Sequence, residues 1–144
     1  MKIRIKKLHP DAKMPTQGTK DAACFDLYAV EDDEIEVGAP RIKVRTGIAM
    51  EIPSGYCGRI YSRSSAFLYG LDVGSLVVDA DYRGEIYVMV GASCEFTPGL
   101  FVPIKKGKRI AQIRIEKLVP TEFEWADELS STERGAGGYG STGR

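Results

Sequence analysis

The sequence predicts an all-β fold, and two observations support that prediction. Short segments in which apolar and polar residues alternate recur along the chain, with turn signals roughly every 8–12 residues. Helical spacing is nearly absent, since Ala66 to Tyr69 is the one stretch before the C-terminal third that could form a helical turn. This combination is typical of an antiparallel sandwich, jelly roll or barrel, and the pattern alone leaves these three open.

The composition fits a single domain with an ordinary hydrophobic core. The chain has 144 residues, of which 43% are hydrophobic, and 20 basic residues balance 20 acidic ones. Because a basic surplus is lacking, we expect neither nucleic acid nor a membrane surface as a partner. A chain of zero net charge can still bind an anion through a local cluster of Arg side chains and backbone N–H groups.

The cysteines, the histidine and the N-terminus argue against further classes of protein. The odd number of cysteines and the lack of C-x-x-C spacing disfavour a disulfide framework and a zinc site, and His9 has no partner for metal or triad chemistry. No apolar stretch approaches the ~18 residues of a spanning helix, and the N-terminus lacks the apolar region of a signal peptide. We therefore expect a cytoplasmic location, or the host cytosol or nucleus if the source is viral.

The first strand patterns lie at the N-terminus. Met1 to Leu8 alternates charged and apolar residues, which predicts a half-buried edge strand rich in lysine. A second strand-like segment contains Asp26 between Phe25 and Leu27. A carboxylate in such an apolar context is less usual than one in a turn.

The next two segments predict more β structure. Glu31 to Glu36 is acidic but lacks the spacing of a calcium loop, so we expect a solvated hairpin. Arg41 to Ile52 alternates again, which predicts a strand with Gly47 as a candidate bulge.

A set of anion-binding groups follows the next strand. Gly58 to Tyr61 continues the strand pattern, and Arg63, Ser64 and Ser65 come directly after it. A guanidinium group, two hydroxyls and free backbone N–H groups can together bind an anion. The same tripeptide is also an ordinary structural turn, and the segment alone does not decide between the two.

The stretch from Leu76 to Val90 contains an apolar run that stops at Asp79, a tight polar segment and a second alternating strand. This pattern predicts a hairpin with an acidic turn. Asp79 is then either an ordinary turn residue or a carboxylate placed at a rigid strand end to act as a general base. Beyond this stretch, Leu100 to Ile104 and Arg109 to Val119 alternate again and predict two more strands.

The C-terminal tail, Ser130 to Arg144, is rich in glycine and cannot form a core. It is therefore either a disordered end or an arm ordered by a ligand. Gly135 to Gly140 matches the glycine spacing of a P-loop, but Ser141 occupies the Lys position and no helix can follow. Glycine N–H groups can still wrap a phosphate, while Arg134 adds charge and Tyr139 adds a face for stacking a base.

Five short motifs span most of the chain, and in order they are AACFDLYA (Ala22 to Ala29), RIYSRSSAF (Arg59 to Phe67), VVDADYRGEI (Val77 to Ile86), GKRIAQI (Gly107 to Ile113) and RGAGGYGSTG (Arg134 to Gly143). In this order they resemble the motifs of the homotrimeric deoxyuridine triphosphatase (dUTPase) family. The third and fifth are highly specific, whereas the first alone would be weak.

The resemblance implies a fold, an assembly and a reaction. The fold would be an antiparallel β jelly roll of the dUTPase-like β-clip type over residues 1–129, followed by a flexible glycine-rich arm over residues 130–144. The assembly would be a homotrimer with shared active sites, each closed by an arm. The reaction would be hydrolysis of dUTP to dUMP and pyrophosphate with Mg²⁺ on the triphosphate, which limits uracil in DNA and supplies dUMP.

The resemblance also implies roles for individual residues. Asp79 would deprotonate the attacking water, Tyr82 would pack on the deoxyribose and exclude a 2′-hydroxyl, and Asp26 would meet Mg²⁺ through a water. The remaining substrate contacts are expected from Val73, Val77, Val78 and Tyr87 at the uracil edge, Arg63, Ser64, Ser65 and Gln112 at the phosphates, and Arg134, Tyr139, Gly140, Ser141 and Thr142 in the arm.

Two other functions remain open at this point. A nucleotide-binding regulatory protein could keep the same pocket and signal by binding a partner protein. A dCTP deaminase-like enzyme of related fold would need a carboxylate acting at the base, and none is placed for it. The presence of Asp79, Tyr82 and Arg134 favours turnover of dUTP over the regulatory protein.

Overall fold

A computed structural model describes residues 1–68, 70–92 and 99–138 of the chain. Within these ranges the chain forms the predicted antiparallel β jelly roll, with one short helix. The strands are β1 (Arg4–Lys7), β2 (Phe25–Tyr28), β3 (Asp33–Glu36), β4 (Ile42–Arg45), β5 (Ile48–Glu51), β6 (Tyr56–Tyr61), β7 (Leu71–Val73), β8 (Leu76–Val78), β9 (Tyr87–Ala92), β10 (Phe101–Ile104) and β11 (Arg109–Lys117). The helix, α1 (Ser64–Leu68), lies between β6 and β7.

The strands pair in two larger sheets and two separate pairs. The four-stranded sheet has the order β2-β11-β6-β8, and the three-stranded sheet has the order β4-β9-β7. The separate pairs are β1-β5 and β10-β3. Most of these antiparallel ladders join strands that are far apart in sequence, so the fold depends on non-local pairing.

The core forms from the inward faces of these sheets. Ile60 of β6 is 1% exposed and Val88 of β9 is 0% exposed, and both belong to one continuous hydrophobic cluster. Because successive side chains of a strand point to opposite faces, each strand contributes alternate residues to this cluster. Burial of each such aliphatic side chain contributes roughly 1.5–3 kcal/mol, which fixes the strand ends that carry polar residues.

The stretch from Leu76 to Val90 is not a hairpin, and that prediction is wrong. Strand β8 pairs with β6, whereas β9 pairs with β4 and β7, so the two strands belong to different sheets. The connecting segment, Asp79 to Ile86, therefore crosses from one sheet to the other. The backbone N–H of Ile86 donates to the carbonyl of Ile48 at 2.8 Å, which anchors the end of this crossing.

Two other predictions of local structure also need correction. The acidic run Glu31 to Glu36 is not a solvated hairpin, because β3 pairs with the distant β10 and buries Ile35 completely. The segment Arg41 to Ile52 is not one strand with a bulge, because it breaks into β4 and β5, which lie in different sheets. The break occurs at Gly47, whose φ of 68° favours glycine and whose added Cβ would lie 2.9 Å from the side chain of His9.

The remaining predicted elements agree with the structure, apart from small shifts in their ends. Strands occur within Met1 to Leu8, Leu100 to Ile104 and Arg109 to Val119, as predicted. The helical turn predicted from Ala66 begins two residues earlier, at Ser64, and Tyr69 lies outside the described residues.

Regular structure ends with β11. The backbone N–H of Leu118 donates to the carbonyl of Gly55 at 2.8 Å, and residues 119–136 are exposed. Several large apolar side chains protrude from this segment: Val119 (81% exposed), Phe123 (96%), Trp125 (104%) and Leu129 (89%).

The boundary between domain and arm at residue 129 stays a prediction. The part of the chain that the structure describes contains no helix long and apolar enough to cross a membrane, and the cytoplasmic location also stays a prediction.

We expect Thr46→Val to destabilise the protein. Thr46 is 2% exposed, and its Oγ1 donates to the carbonyl of Ile86 at 2.6 Å. Valine keeps the shape but leaves a buried carbonyl without its donor, so the free energy of unfolding should fall by about 1–3 kcal/mol. Urea denaturation would measure this change. Thr121→Val removes a similar hydrogen bond at an exposed position and is the matched control, and equal midpoints for the two variants would contradict the prediction.

Candidate active site

The crossing between the two sheets forms one wall of a cleft. The cleft has a volume of about 190 Å³. Its lining combines the end of β8, the crossing and the start of β9, and comprises Ile60, Leu76, Val77, Val78, Asp79, Tyr82, Glu85, Ile86 and Tyr87. Four predicted site residues near uracil or sugar therefore share this cleft with Asp79, whereas Val73 is buried in β7 and does not line it.

The side chain of Tyr82 is positioned by Gly84 and Glu85. Its ring lies directly over Gly84, since a Cβ added there would come within 2.3 Å of the tyrosine hydroxyl oxygen. The Tyr82 hydroxyl donates to the backbone carbonyl of Glu85 at 3.0 Å. The side chain remains 44% exposed, so one face of the ring is available at the mouth of the cleft. Such a face can pack on a sugar.

Asp79 lies at the point where β8 ends. Its backbone carbonyl accepts a hydrogen bond from the Tyr82 N–H at 3.2 Å, which fixes the turn. Its side chain is exposed, and no hydrogen bond or ion pair to its carboxylate occurs within the described residues. A carboxylate in this state can accept a hydrogen bond from water, and a position at a strand end restricts its movement.

The carboxylate of Asp26, in contrast, is paired with two arginine side chains. Asp26 is 9% exposed, and its two carboxylate oxygens accept hydrogen bonds from Arg63 Nε at 2.9 Å and Arg109 Nη1 at 3.2 Å. Arg63 Nη1 also approaches the carbonyl oxygen of Arg109 at 3.5 Å. The buried carboxylate therefore orients two guanidinium groups and offsets part of their charge.

The other predicted phosphate-binding residues lie around this cluster. Gln112 is opposite Asp26 in the ladder between β11 and β2, and its Nε2 donates to the carbonyl of Ser62 at 2.9 Å. Ser65 and Arg63 line a cavity of about 360 Å³, together with Arg109. Ser64, at the start of α1, is exposed. Hydroxyl and guanidinium donors thus line one cavity, as anion binding requires.

A single chain keeps these two groups of residues apart. The register places Val78 opposite Gly58 near the start of β6, so Asp79 adjoins that end of the strand, whereas Arg63 follows its other end. Residues 57 to 63 of an extended chain span about 20 Å at roughly 3.3 Å per residue. The cleft at Asp79 and the cavity at Arg63 have no lining residue in common.

The predicted arm residues are only partly described. Arg134 is exposed, and its Nε donates to the carbonyl of Gly137 at 3.0 Å within a local turn. Tyr139, Gly140, Ser141 and Thr142 lie outside the described residues, so their predicted roles stay predictions.

Sequence reasoning missed Arg109 and Glu85. Arg109 belongs to the GKRIAQI motif, and the unusual carboxylate of Asp26 in an apolar strand already signals a buried cationic partner. Glu85 gives no such signal, because a Glu beside Gly84 in a turn is common. Only the structure shows that its carboxylate is enclosed, with 10% of the side chain exposed.

The residues from 10 to 143 match the family model described as dUTPase. The chain belongs to the dUTPase family. Two curated relatives match it over nearly its whole length. The deoxyuridine 5′-triphosphate nucleotidohydrolase of Nautilia profundicola is 45% identical to this chain, and the alignment covers 100% of both proteins. That of Paramecium bursaria Chlorella virus 1 is 42% identical, with 98% of this chain and 97% of the viral protein covered.

Solved structures agree with the fold of this dUTPase-family protein. The dUTPase of Staphylococcus bacteriophage 80alpha with dUPNHPP has a TM-score of 0.87 and 27% identity, and 99% of each chain is covered. A variant of the same phage enzyme with dUpNHpp gives a TM-score of 0.89 at 25% identity. These likenesses establish family and fold, while the roles of individual residues stay predictions.

Proposed function

We propose that this dUTPase-family protein hydrolyses dUTP to dUMP and pyrophosphate. The observation that carries the proposal is the pairing, in one cleft, of the exposed Asp79 carboxylate with the open ring face of Tyr82. Curated deoxyuridine 5′-triphosphate nucleotidohydrolases are similar to this chain over nearly its full length, which supports dUTP as the substrate. The reaction would supply dUMP and, by removing dUTP, would limit the incorporation of uracil into DNA.

Asp79 acts as the general base in this proposal. Its carboxylate accepts a proton from a water molecule while the water oxygen forms a bond to the α-phosphorus. The bond from the α-phosphorus to the bridging oxygen breaks, and pyrophosphate leaves with that oxygen. Phosphoryl transfer of this kind depends on positioning and on neutralising charge rather than on covalent catalysis, so a base fixed at a strand end suits it.

The cleft would select the nucleoside. Tyr82 packs on the deoxyribose, and a 2′-hydroxyl would meet the fixed ring. The uracil edge would be contacted by backbone groups near Val77, Val78 and Tyr87, which line the cleft, and by the strand that contains Val73. Backbone N–H and C=O groups of paired strands have fixed directions, which makes them suitable for recognising one base.

The donors around Arg63 would bind the phosphates. We assign Arg63, Ser64, Ser65 and Gln112 to this role, with Arg134, Ser141 and Thr142 of the arm at the γ-phosphate end. The planar guanidinium groups form paired hydrogen bonds with phosphate oxygens. Tyr139 would stack on uracil, and Gly140 would let the arm backbone approach the nucleotide.

The described residues fit Mg²⁺ only as an ion carried by the substrate. They contain no group of three or more His, Cys, Asp or Glu side chains that could form a complete metal site. Mg²⁺ commonly keeps several waters and binds through substrate phosphates and one or two carboxylates. Asp26, already paired with two arginines, would therefore reach it through a water. When bound, the ion would neutralise charge on the triphosphate.

We also propose that the sites are shared in a homotrimer. Within one chain the base and the phosphate-binding cluster lie at opposite ends of β6, whereas a nucleotide must contact both. A neighbouring copy that supplies Arg63 beside Asp79 would resolve this separation.

The exposed segment after β11 supports an exchange between copies. Residues 122–125 (EFEW) alternate acidic and aromatic side chains, while residues 2–6 (KIRIK) alternate basic and apolar ones. Within the described residues β1 pairs only with β5, which leaves its other edge available. An extended segment from another copy could add to this edge with opposite charges across the strands.

The decisive experiment measures pyrophosphate release from dUTP, dTTP, dCTP and UTP in the presence of Mg²⁺. We expect release from dUTP well above the other three. Binding of dUTP without release would instead support the nucleotide-binding regulatory protein, and ammonia release from dCTP would support the deaminase. Either result would overturn the proposed function.

Gly84→Ala should weaken the recognition of dUTP. The added Cβ would lie 2.3 Å from the hydroxyl oxygen of Tyr82, so the ring must move. Because the ring is the proposed contact for the sugar, we expect KM for dUTP to rise about tenfold and discrimination against UTP to fall. Steady-state kinetics with both nucleotides would measure the change. Gly18→Ala is the matched control, since a Cβ there meets nothing within 4 Å and no role in the site is proposed for this residue, and an unchanged KM for Gly84→Ala would contradict the prediction.

A further inference from the structure

Glu85 makes the densest set of polar contacts near the cleft, although no catalytic role is assigned to it. Arg45 Nε lies 3.2 Å from each of its carboxylate oxygens, and Arg45 Nη2 lies 3.1 Å from Oε2. The backbone N–H of Gly47 donates to Oε1 at 2.8 Å. Burial raises the pKa of the Glu85 carboxyl, but the hydrogen bonds from Arg45 and Gly47 outweigh this and leave the pKa below its usual value.

These contacts attach the end of the crossing to the segment between β4 and β5. Next to Glu85, Ile86 donates its N–H to the Ile48 carbonyl at 2.8 Å and accepts from Thr46 Oγ1 at 2.6 Å. Residues 85 and 86 are therefore bound by each of the four consecutive residues 45–48. The Glu85 backbone has little freedom to move.

The Glu85 backbone in turn positions Tyr82. The tyrosine hydroxyl donates to the Glu85 carbonyl at 3.0 Å, and the ring is otherwise half exposed over Gly84. A half-exposed ring has few apolar neighbours to restrict it, so this hydrogen bond sets where its tip lies. Any shift of the Glu85 carbonyl would thus be transmitted to the proposed sugar contact.

We propose that Glu85, fixed by Arg45 and Gly47, is a positioning residue that sets the place of Tyr82 and thereby the discrimination between deoxyribose and ribose. The inference rests on the proposed hydrolysis of dUTP. Glu85 itself touches no reacting atom. A 2′-hydroxyl is a small feature, so a ring displaced by a fraction of an ångström admits it more easily, while the base Asp79 keeps its place just after the end of β8.

The test compares Glu85→Gln with the wild-type protein, using kcat and KM for dUTP and for UTP. Glutamine keeps the shape and an acceptor for Gly47 but loses the charge that holds Arg45. We expect a higher KM for dUTP, little change in kcat, and a ratio of kcat/KM for dUTP over UTP about tenfold lower. Arg45→Lys, which keeps the charge but loses the planar fork, should lower the ratio in the same direction.

Two further variants separate positioning from general stability. Glu51→Gln, in the neighbouring β5, removes an ion pair with Arg4 of β1 and should leave the ratio unchanged. In a Tyr82→Phe background, which lacks the connecting hydroxyl, Glu85→Gln should have no further effect on the ratio. A lower melting temperature with an unchanged ratio for Glu85→Gln, or full additivity with Tyr82→Phe, would overturn the inference. Failure of the wild-type protein to hydrolyse dUTP would overturn the proposed function instead.

Discussion

Asp79→Asn is expected to abolish turnover of dUTP while leaving nucleotide binding largely intact. Asparagine has nearly the same shape but cannot accept a proton from the attacking water. General-base catalysis contributes about 10²–10⁴-fold, so kcat should fall by at least about 10²-fold. The carboxylate has no partner among the described residues, so its replacement should not disturb the fold. Pyrophosphate release would measure kcat, and calorimetry with dUpNHpp would measure binding.

Asp81→Asn is the matched control for this variant. Asp81 lies two residues beyond Asp79 in the same crossing and is also exposed. Its replacement by asparagine removes the same negative charge. We expect its kcat to remain close to that of the wild-type protein. Retained activity in Asp79→Asn would exclude this residue as the base. Equal losses in both variants would point to the charge of the whole crossing rather than to proton transfer.

The sequence was sufficient for the fold class because strand alternation is local. Residues such as Val44, Ala111 and Ile113 follow the period of two and are buried as that pattern requires. Pairing, in contrast, is not local. The alternation on either side of Asp79 is compatible with a hairpin, and only the partners β6 and β9 show that the chain changes sheets there.

The same distinction applies to the candidate site. Motifs place Asp79 and Arg63 just after strand ends and Tyr82 in the polar segment that follows Asp79, because a motif contains its own turn chemistry. They do not show that Asp79 and Arg63 lie at opposite ends of β6, since this depends on the register between β6 and β8. The contact between Arg45 and Glu85 joins residues 40 apart, and neither residue has a sequence context that predicts it.

Deletion of residues 134–144 is expected to leave the jelly roll folded but to lower kcat for dUTP strongly. Residues 119–136 are exposed, and Arg134 contacts only its own turn among the described residues, so the body loses little packing. The proposed site, however, loses Arg134 and the groups that would cover the γ-phosphate. An arginine that stabilises charge in phosphoryl transfer is worth about 10³–10⁵-fold in kcat, so we expect a loss of at least about 10³-fold. Pyrophosphate release and thermal melting would measure the two effects separately.

A shorter deletion separates the charge from the rest of the arm. Removal of residues 139–144 retains Arg134 and the turn from Thr132 to Gly135 but removes Tyr139, Ser141 and Thr142. Arg134 could act only when residues 139–144 cover the nucleotide, because a shortened arm cannot exclude water from the site. In that case the deletions of residues 134–144 and 139–144 should be equally inactive. If the charge acts alone, the shorter deletion should retain most of the activity. A melting temperature lowered by the longer deletion would mean that the arm stabilises the body, and undiminished activity would exclude a role of the arm in catalysis.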